Sequence, residues 1–288
     1  MPDPAPAILI AQRTAQFVRG RRQLGIAKRR HRVPRAQYPK LVESDYAKVL
    51  VEIATRSRAA LEPLLVALPG MIATAAADRG VRLDQDEARR TKELLDRGRR
   101  VAFAATDQTV LEGVAERAAL QVSTHQREQL ARQTKAALGV ELMTLDQRVP
   151  AMIKHFVGEN VALIKSLAGR PLDEIEKLVT RAFTEGTRHE DVAAEIARRY
   201  QIAERHARLI ARDQVAKLLA QVARARHREI GLSSFRWRTM RDPKVRPQHQ
   251  AREGVVYRYD KPHPVPGQEV LCRCQEEPVF DDILALLG

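Results

Sequence analysis

Proline placement constrains this chain more than any other feature. Prolines crowd before residue 70 and again after residue 242, and between them stand only Pro150 and Pro171. A proline inside a helix removes a backbone hydrogen bond and clashes with the preceding turn. The stretches 70–149 and 172–242 are therefore where long helices can form, and the segment after Pro243 cannot be mostly helix. Apolar residues at 44% supply a core, while aromatics at 4% favour helices packed through small and aliphatic side chains.

Local patterning fills in this frame. Tyr46, Val49, Ile53, Ala60 and Leu64 follow helical spacing, with a kink or restart expected at Pro63. Residues 84–138 read as two or three helices with isolated glycines at 98 and 113. Pro171 suits a first helical position, followed by the stripe Leu172, Ile175, Leu178, Val179, Ala182 and Phe183. Gly186 fits a stop, and Thr187 with Glu190 fits a capping box for a helix burying Val192, Ile196 and Tyr200. After a short turn, a longer helix carries Ala211, Val215, Leu218, Val222 and Ala225 and ends at Gly231. That spacing imitates a helix-turn-helix DNA reader, but a packed helical hairpin is the simpler expectation.

Beyond Gly231 the period changes to two. Phe235, Trp237 and Thr239 alternate with arginines, as do Val255, Tyr257 and Tyr259 with Val256 and Arg258. These read as short strands, and VLCRC at 270–274 as a third. The expected fold class is mainly α: an extended helical body with a basic N-terminal arm and a small C-terminal α+β module of short strands. The expected divisions fall at 1–40, 41–160, 161–231 and 232–288.

Charge is uneven. Of the net +14, residues 1–40 carry +9, from ten basic residues and Asp3 alone. Arg13, Arg19, Arg21, Arg22, Lys28, Arg29, Arg30, Arg32 and Arg35 are the candidate contacts to a polyanion, most simply nucleic acid. No apolar run reaches the roughly 18 residues of a membrane span, and MPDPAPAILIAQRT lacks the basic start of a signal peptide. Two cysteines do not make a secreted disulfide scaffold. P-loop, HExxH and GxSxG patterns are missing from the sequence.

The polar residues of interest lie in TMRDPKVRPQHQAREGVVYRYDKPHPVPGQEVLCRC, residues 239–274. Trp237, Thr239, Asp242, Val245, Arg246, His249, Gly254, Pro266, Gly267, Cys272, Arg273, Cys274 and Pro278 recur in an unusual order. That order resembles the signature of phage head morphogenesis proteins, the Mu F-type minor head family, and the likeness covers roughly residues 160–280. Many members carry His-Pro just before Cys-Arg-Cys; here Glu269, Val270 and Leu271 stand there, with His263-Pro264 further upstream. The resemblance implies a non-enzymatic virion protein inside the phage head, present in the host cytoplasm during assembly. Its implied partners are the portal protein, capsid or scaffolding proteins and packaged double-stranded DNA, with no membrane and no cofactor.

The cysteines admit four readings. Two residues apart on a strand, their Cα atoms would lie about 7 Å apart, at the edge of disulfide geometry. Zinc could use Cys272, Cys274 and His249 as a partial ligand set, with His263 the further histidine available. A metal-independent nuclease could centre on His249, with Arg246 and Arg273 stabilising phosphate charge. The favoured reading is a buried staple: cysteines packed on Trp237, Arg273 paired with Asp242, and His249 bonded to a loop carbonyl.

Overall fold

The computed structural model describes residues 4–25, 33–59, 62–63, 66–67, 85–104, 107–185 and 189–287. Among them are eight helices: α1 (Pro4–Gln23), α2 (Lys40–Ala59), α3 (Gln85–Ala104), α4 (Gln108–Leu138), α5 (Val149–Glu185), α6 (His189–Glu229), α7 (Pro247–Gln250) and α8 (Asp281–Leu286). Three short strands accompany them: β1 (Ser234–Arg238), β2 (Val256–Arg258) and β3 (Gln275–Pro278). They form one antiparallel sheet of order β2-β1-β3. The architecture is mainly α with a small sheet near the C-terminus, as the sequence implies.

The helix boundaries depart from expectation in two places. Pro171 does not start a helix but lies inside α5, which runs unbroken from Val149 to Glu185. Its ring is buried, and Leu167, Leu172 and Ile175 bury the helix on either side of it. That burial offsets the roughly 3 kcal/mol helix penalty of an interior proline. The expected helix–turn–helix over 188–225 is instead a single helix of 41 residues, α6. Tyr200, Ala203, Ala207, Ile210 and Ala211 keep one buried stripe across the expected turn, where neither glycine nor proline breaks the backbone. The helix-turn-helix resemblance disappears with the turn. Ala60, Leu64, Gly186 and Thr187 lie outside the described residues.

Two compact units are present, each assembled from separated stretches: Met1–Glu43, Glu116–Phe156 and Arg212–Gly288 in the first, Ser44–Ala115 and Val157–Ala211 in the second. The second unit has a core of Leu95, Leu172, Ile175, Val179, Ala182, Val192, Ile196 and Tyr200. There the Tyr46 hydroxyl donates to Asn160 Oδ1 at 2.8 Å, satisfying two buried polar groups at once.

The first unit holds the sheet. One of its cores joins Ala15 and Val18 of α1 to Leu130, Leu138, Ile230, Phe280 and Ile283. Residues 4–23 of the basic segment are thus a docked helix and not a free arm, because Ala11, Ala15 and Val18 recur on one face and are buried. Helix α6 stops where Gly231 takes a positive φ of 85°. The Gly231 N–H donates to Arg228 O at 3.0 Å and the Leu232 N–H to His227 O at 3.0 Å. These two bonds are those of a Schellman stop, which favours glycine. Arg226, on the last turn of α6, is fully buried. It donates to Asp146 at 2.7 and 2.9 Å, to Ser123 O at 2.6 Å, to Ser123 Oγ at 2.8 Å and to Gln126 at 2.8 Å.

Candidate functional site

Strand β1 organises the site by alternation. Phe235 and Trp237 point into the module and are buried, while Arg236 and Arg238 on the other face are half-buried. Cys272 and Cys274 complete this core, with Tyr257 and Tyr259 packed against it. The cysteines precede β3 and are not part of it; the third strand is Gln275–Pro278, so VLCRC is not a strand. The reason is local: Leu271 sits at φ 60°, a left-handed conformation that ends extended pairing before Cys272. Its N–H is held by Asp213 Oδ1 at 2.8 Å. Gly267, φ 77°, lets the same loop press on α6, where an added Cβ would meet Ala220 Cβ at 2.8 Å.

The signature residues converge. Asp242 caps a turn by accepting from the Lys244 N–H at 3.1 Å, and pairs with Arg273 at 2.5 Å. Arg246 is the cap of α7, and from there donates to Glu269 Oε2 and Val270 O, each at 2.7 Å. One helical turn places His249 beside it, 2% exposed, with its ring edge-on to Trp237 at 5.4 Å between centroids. His249 does not bond a loop carbonyl. Its Nε2 lies 3.0 Å from Glu269 Oε1, and its Nδ1 faces Cys272 Sγ at 3.5 Å and Cys274 Sγ at 3.7 Å. Gly254, φ 83°, turns the chain into β2, its N–H donating to Trp237 O at 2.9 Å. His263 sits apart, against Phe235 at 5.1 Å, in the aromatic layer with Tyr257 and Tyr259.

Both cysteines are free thiols. A hydrogen bond from Cys274 holds the Cys272 thiol below its usual range, while the same contact and burial push Cys274 up. The His249 contact holds Glu269 below the usual carboxylate range. A cavity of about 230 Å³ opens on the three ligand-type side chains; Arg212, Met240, Lys244 and Arg246 form much of its remaining wall. The sulfur atoms and the His249 nitrogen all lie within 4.8 Å of one another, close enough to hold one metal ion.

Several carboxylates that sequence patterning did not single out support this site. Glu253 accepts from the Thr239 N–H at 2.7 Å and hydroxyl at 2.8 Å, and pairs with Arg35, Arg238 and Arg241. Burial opposes its ionisation, but the Thr239 hydrogen bonds and the arginines outweigh that and hold its pKa at about 2. Glu276 is buried between Arg224 and the Tyr259 hydroxyl, and burial pushes its pKa up. No spacing rule reveals such partners, because they lie up to 218 residues apart, as Arg35 and Glu253 do.

The basic candidates divide. Arg13, Arg19 and Arg21 are exposed on α1 and Arg22 is half-buried there. Arg19 donates to Leu286 O, and Arg21 lies over the Phe17 ring at 5.8 Å. Arg35 is engaged with Glu253 at 2.5 Å. Lys28, Arg29, Arg30 and Arg32 lie outside the described residues.

Residues 173–276 match the model of phage Mu protein F-like proteins. An uncharacterized protein of Haemophilus influenzae is 32% identical over 156 residues, which is 51% of this chain and 34% of that protein. The chain therefore matches about a third of that relative's length. No solved structure matches.

Proposed function

From the match of residues 173–276 to the phage Mu protein F-like model, we propose that the chain is a structural minor head protein of a tailed phage. In this reading it joins the portal or inner capsid during head assembly in the host cytoplasm, contacts packaged DNA and remains in the virion. The observation that carries the reading is the family match, whose limits enclose Trp237, Asp242, Arg246, His249, Gly254, Cys272, Arg273 and Cys274. A structural role is also supported by the chemistry of the site. His249 is 2% exposed with both ring nitrogens engaged, and Arg246 and Arg273 are each paired with a carboxylate. A nuclease would need these groups open to a phosphate.

DNA contact is assigned to the exposed arginines of α1, through phosphate charge and counterion release without base reading. Head particles from a phage carrying the gene test the structural role: mass spectrometry of purified heads detects the chain below the copy number of the main shell protein. Its absence from mature and immature heads alike overturns the reading. Duplex DNA binding tests the contact. Replacing the exposed Arg13, Arg19 and Arg21 with alanine lowers the slope of log affinity against log salt by roughly 2–3. An unchanged slope removes α1 as the DNA face.

A further inference from the structure

We infer that His249, Cys272 and Cys274 form a binding site for a thiophilic divalent metal ion, zinc being the occupant their chemistry favours. A tetrahedral ion with Zn–N of roughly 2.0–2.1 Å and Zn–S of roughly 2.3 Å sets its ligand nitrogen and sulfur atoms about 3.6 Å apart. The structure holds His249 Nδ1 at 3.5 Å from Cys272 Sγ and 3.7 Å from Cys274 Sγ. Two edges of the coordination tetrahedron are therefore already formed by the protein alone.

The outer contacts point the same way. A ligating imidazole is oriented by a hydrogen bond from its other nitrogen, most often to a carboxylate. Glu269 fills that place at 3.0 Å from Nε2 and is itself fixed by Arg246 at 2.7 Å. With the proton on Nε2, the Nδ1 lone pair faces the sulfurs. The Asp242–Arg273 pair anchors the residue between the cysteines, so both sulfurs are aimed from one fixed loop. Trp237 closes one side of the cluster, and the cavity gives solvent a way in on the other.

Binding replaces the two thiol protons. The ion takes two thiolates and the neutral imidazole, two protons leave to solvent, and water from the cavity completes the fourth position. The two thiolates offset the ion's charge. This site is independent of head assembly, and a module with only three short strands gains a tie between its turn, α7, and its closing loop.

Cobalt(II) is the probe. The reduced full chain, stripped of metal by a chelator, is titrated with cobalt and then with zinc. One equivalent of cobalt gives a thiolate charge-transfer band and the strong visible bands of a tetrahedral ion, and zinc abolishes both. Cys272→Ser and Cys274→Ser each weaken the charge-transfer band and the double serine variant loses it, His263→Ala keeps it, and Glu269→Gln weakens cobalt affinity roughly 10- to 100-fold. Absence of the band in the wild type overturns the proposal, as does its persistence in the double serine variant. Where the serine variants lose helical circular dichroism, Glu269→Gln decides: unchanged affinity refutes the carboxylate-held imidazole. A metal-free wild type that regains its helical signal on adding cobalt supports the site.

Discussion

Three glycines share one backbone conformation in three different surroundings, and so separate strain from steric exclusion. Gly231, Gly254 and Gly267 have φ of 85°, 83° and 77°. A Cβ at Gly254 meets nothing within 4 Å, so Gly254→Ala costs the left-handed penalty alone, about 1–2 kcal/mol. At Gly231 the same Cβ would lie 2.4 Å from Ala11 N and 2.6 Å from Ala11 Cα, both main-chain atoms of α1 that cannot rotate aside. Overpacking adds roughly 1–3 kcal/mol, so Gly231→Ala costs about 2–5 kcal/mol and pushes α1 outward. Gly267→Ala falls in the same higher range, since its Cβ meets Ala220 Cβ at 2.8 Å and Ala216 O at 3.0 Å. Urea unfolding of the three variants gives the ranking. Trypsin gives the location, because Arg13, Arg19, Arg21 and Arg22 stand on α1 and become faster cleavage sites only in Gly231→Ala. Equal costs for Gly231→Ala and Gly254→Ala, with unchanged trypsin protection of α1, would refute the docking of α1 on the end of α6.

Two further effects follow from the buried charges. Arg226→Leu removes its buried bonds to Asp146, Ser123 and Gln126, while Asp146 keeps Arg127 and Thr144, so thermal unfolding should show a loss of roughly 2–4 kcal/mol; a loss below about 1 kcal/mol would mean the network contributes little. Glu253 has a folded pKa of about 2 against an ordinary 4.5, so its stabilisation is complete above pH 4.5 and lost as pH falls through 2. Glu253→Gln should flatten stability across that window, and an unchanged acid limb in urea titrations would assign the acid sensitivity to other carboxylates.

The C-terminal module was the most legible part of the chain. Alternation placed Phe235 and Trp237 inside, the i, i+3 spacing put Arg246 and His249 on one turn, and the Asp242–Arg273 pair follows from charge and order. The helices were legible as a class and not as lengths. Pro171 reads as a boundary because local propensity says so, while burial along α5 decides otherwise. Counting charge over residues 1–40 hid the spacing of Ala11, Ala15 and Val18, which marks α1 as a packed helix. Nothing in the sequence around Glu269 marks it as a site residue, yet it is the group that orients His249. Its role depends on a fold that brings residues 20 apart into contact, and no pattern in the chain states that.

The strand order also fixes a timetable. β1, the central strand, precedes both of its neighbours in the chain, and its longer pairing is with β3, from Phe235↔Pro278 to Arg238↔Gln275. The Ala36 N–H is then held by Glu277, 241 residues later, and Arg35 by Glu253. Helices form from neighbours as the chain emerges; these contacts must wait for loops of more than two hundred residues to close. On the ribosome, the stretch around Ala36 is therefore synthesised long before the segments that secure it. Until residues 275–278 exist, β1 carries an open edge and the cysteine loop has no strand to lead into.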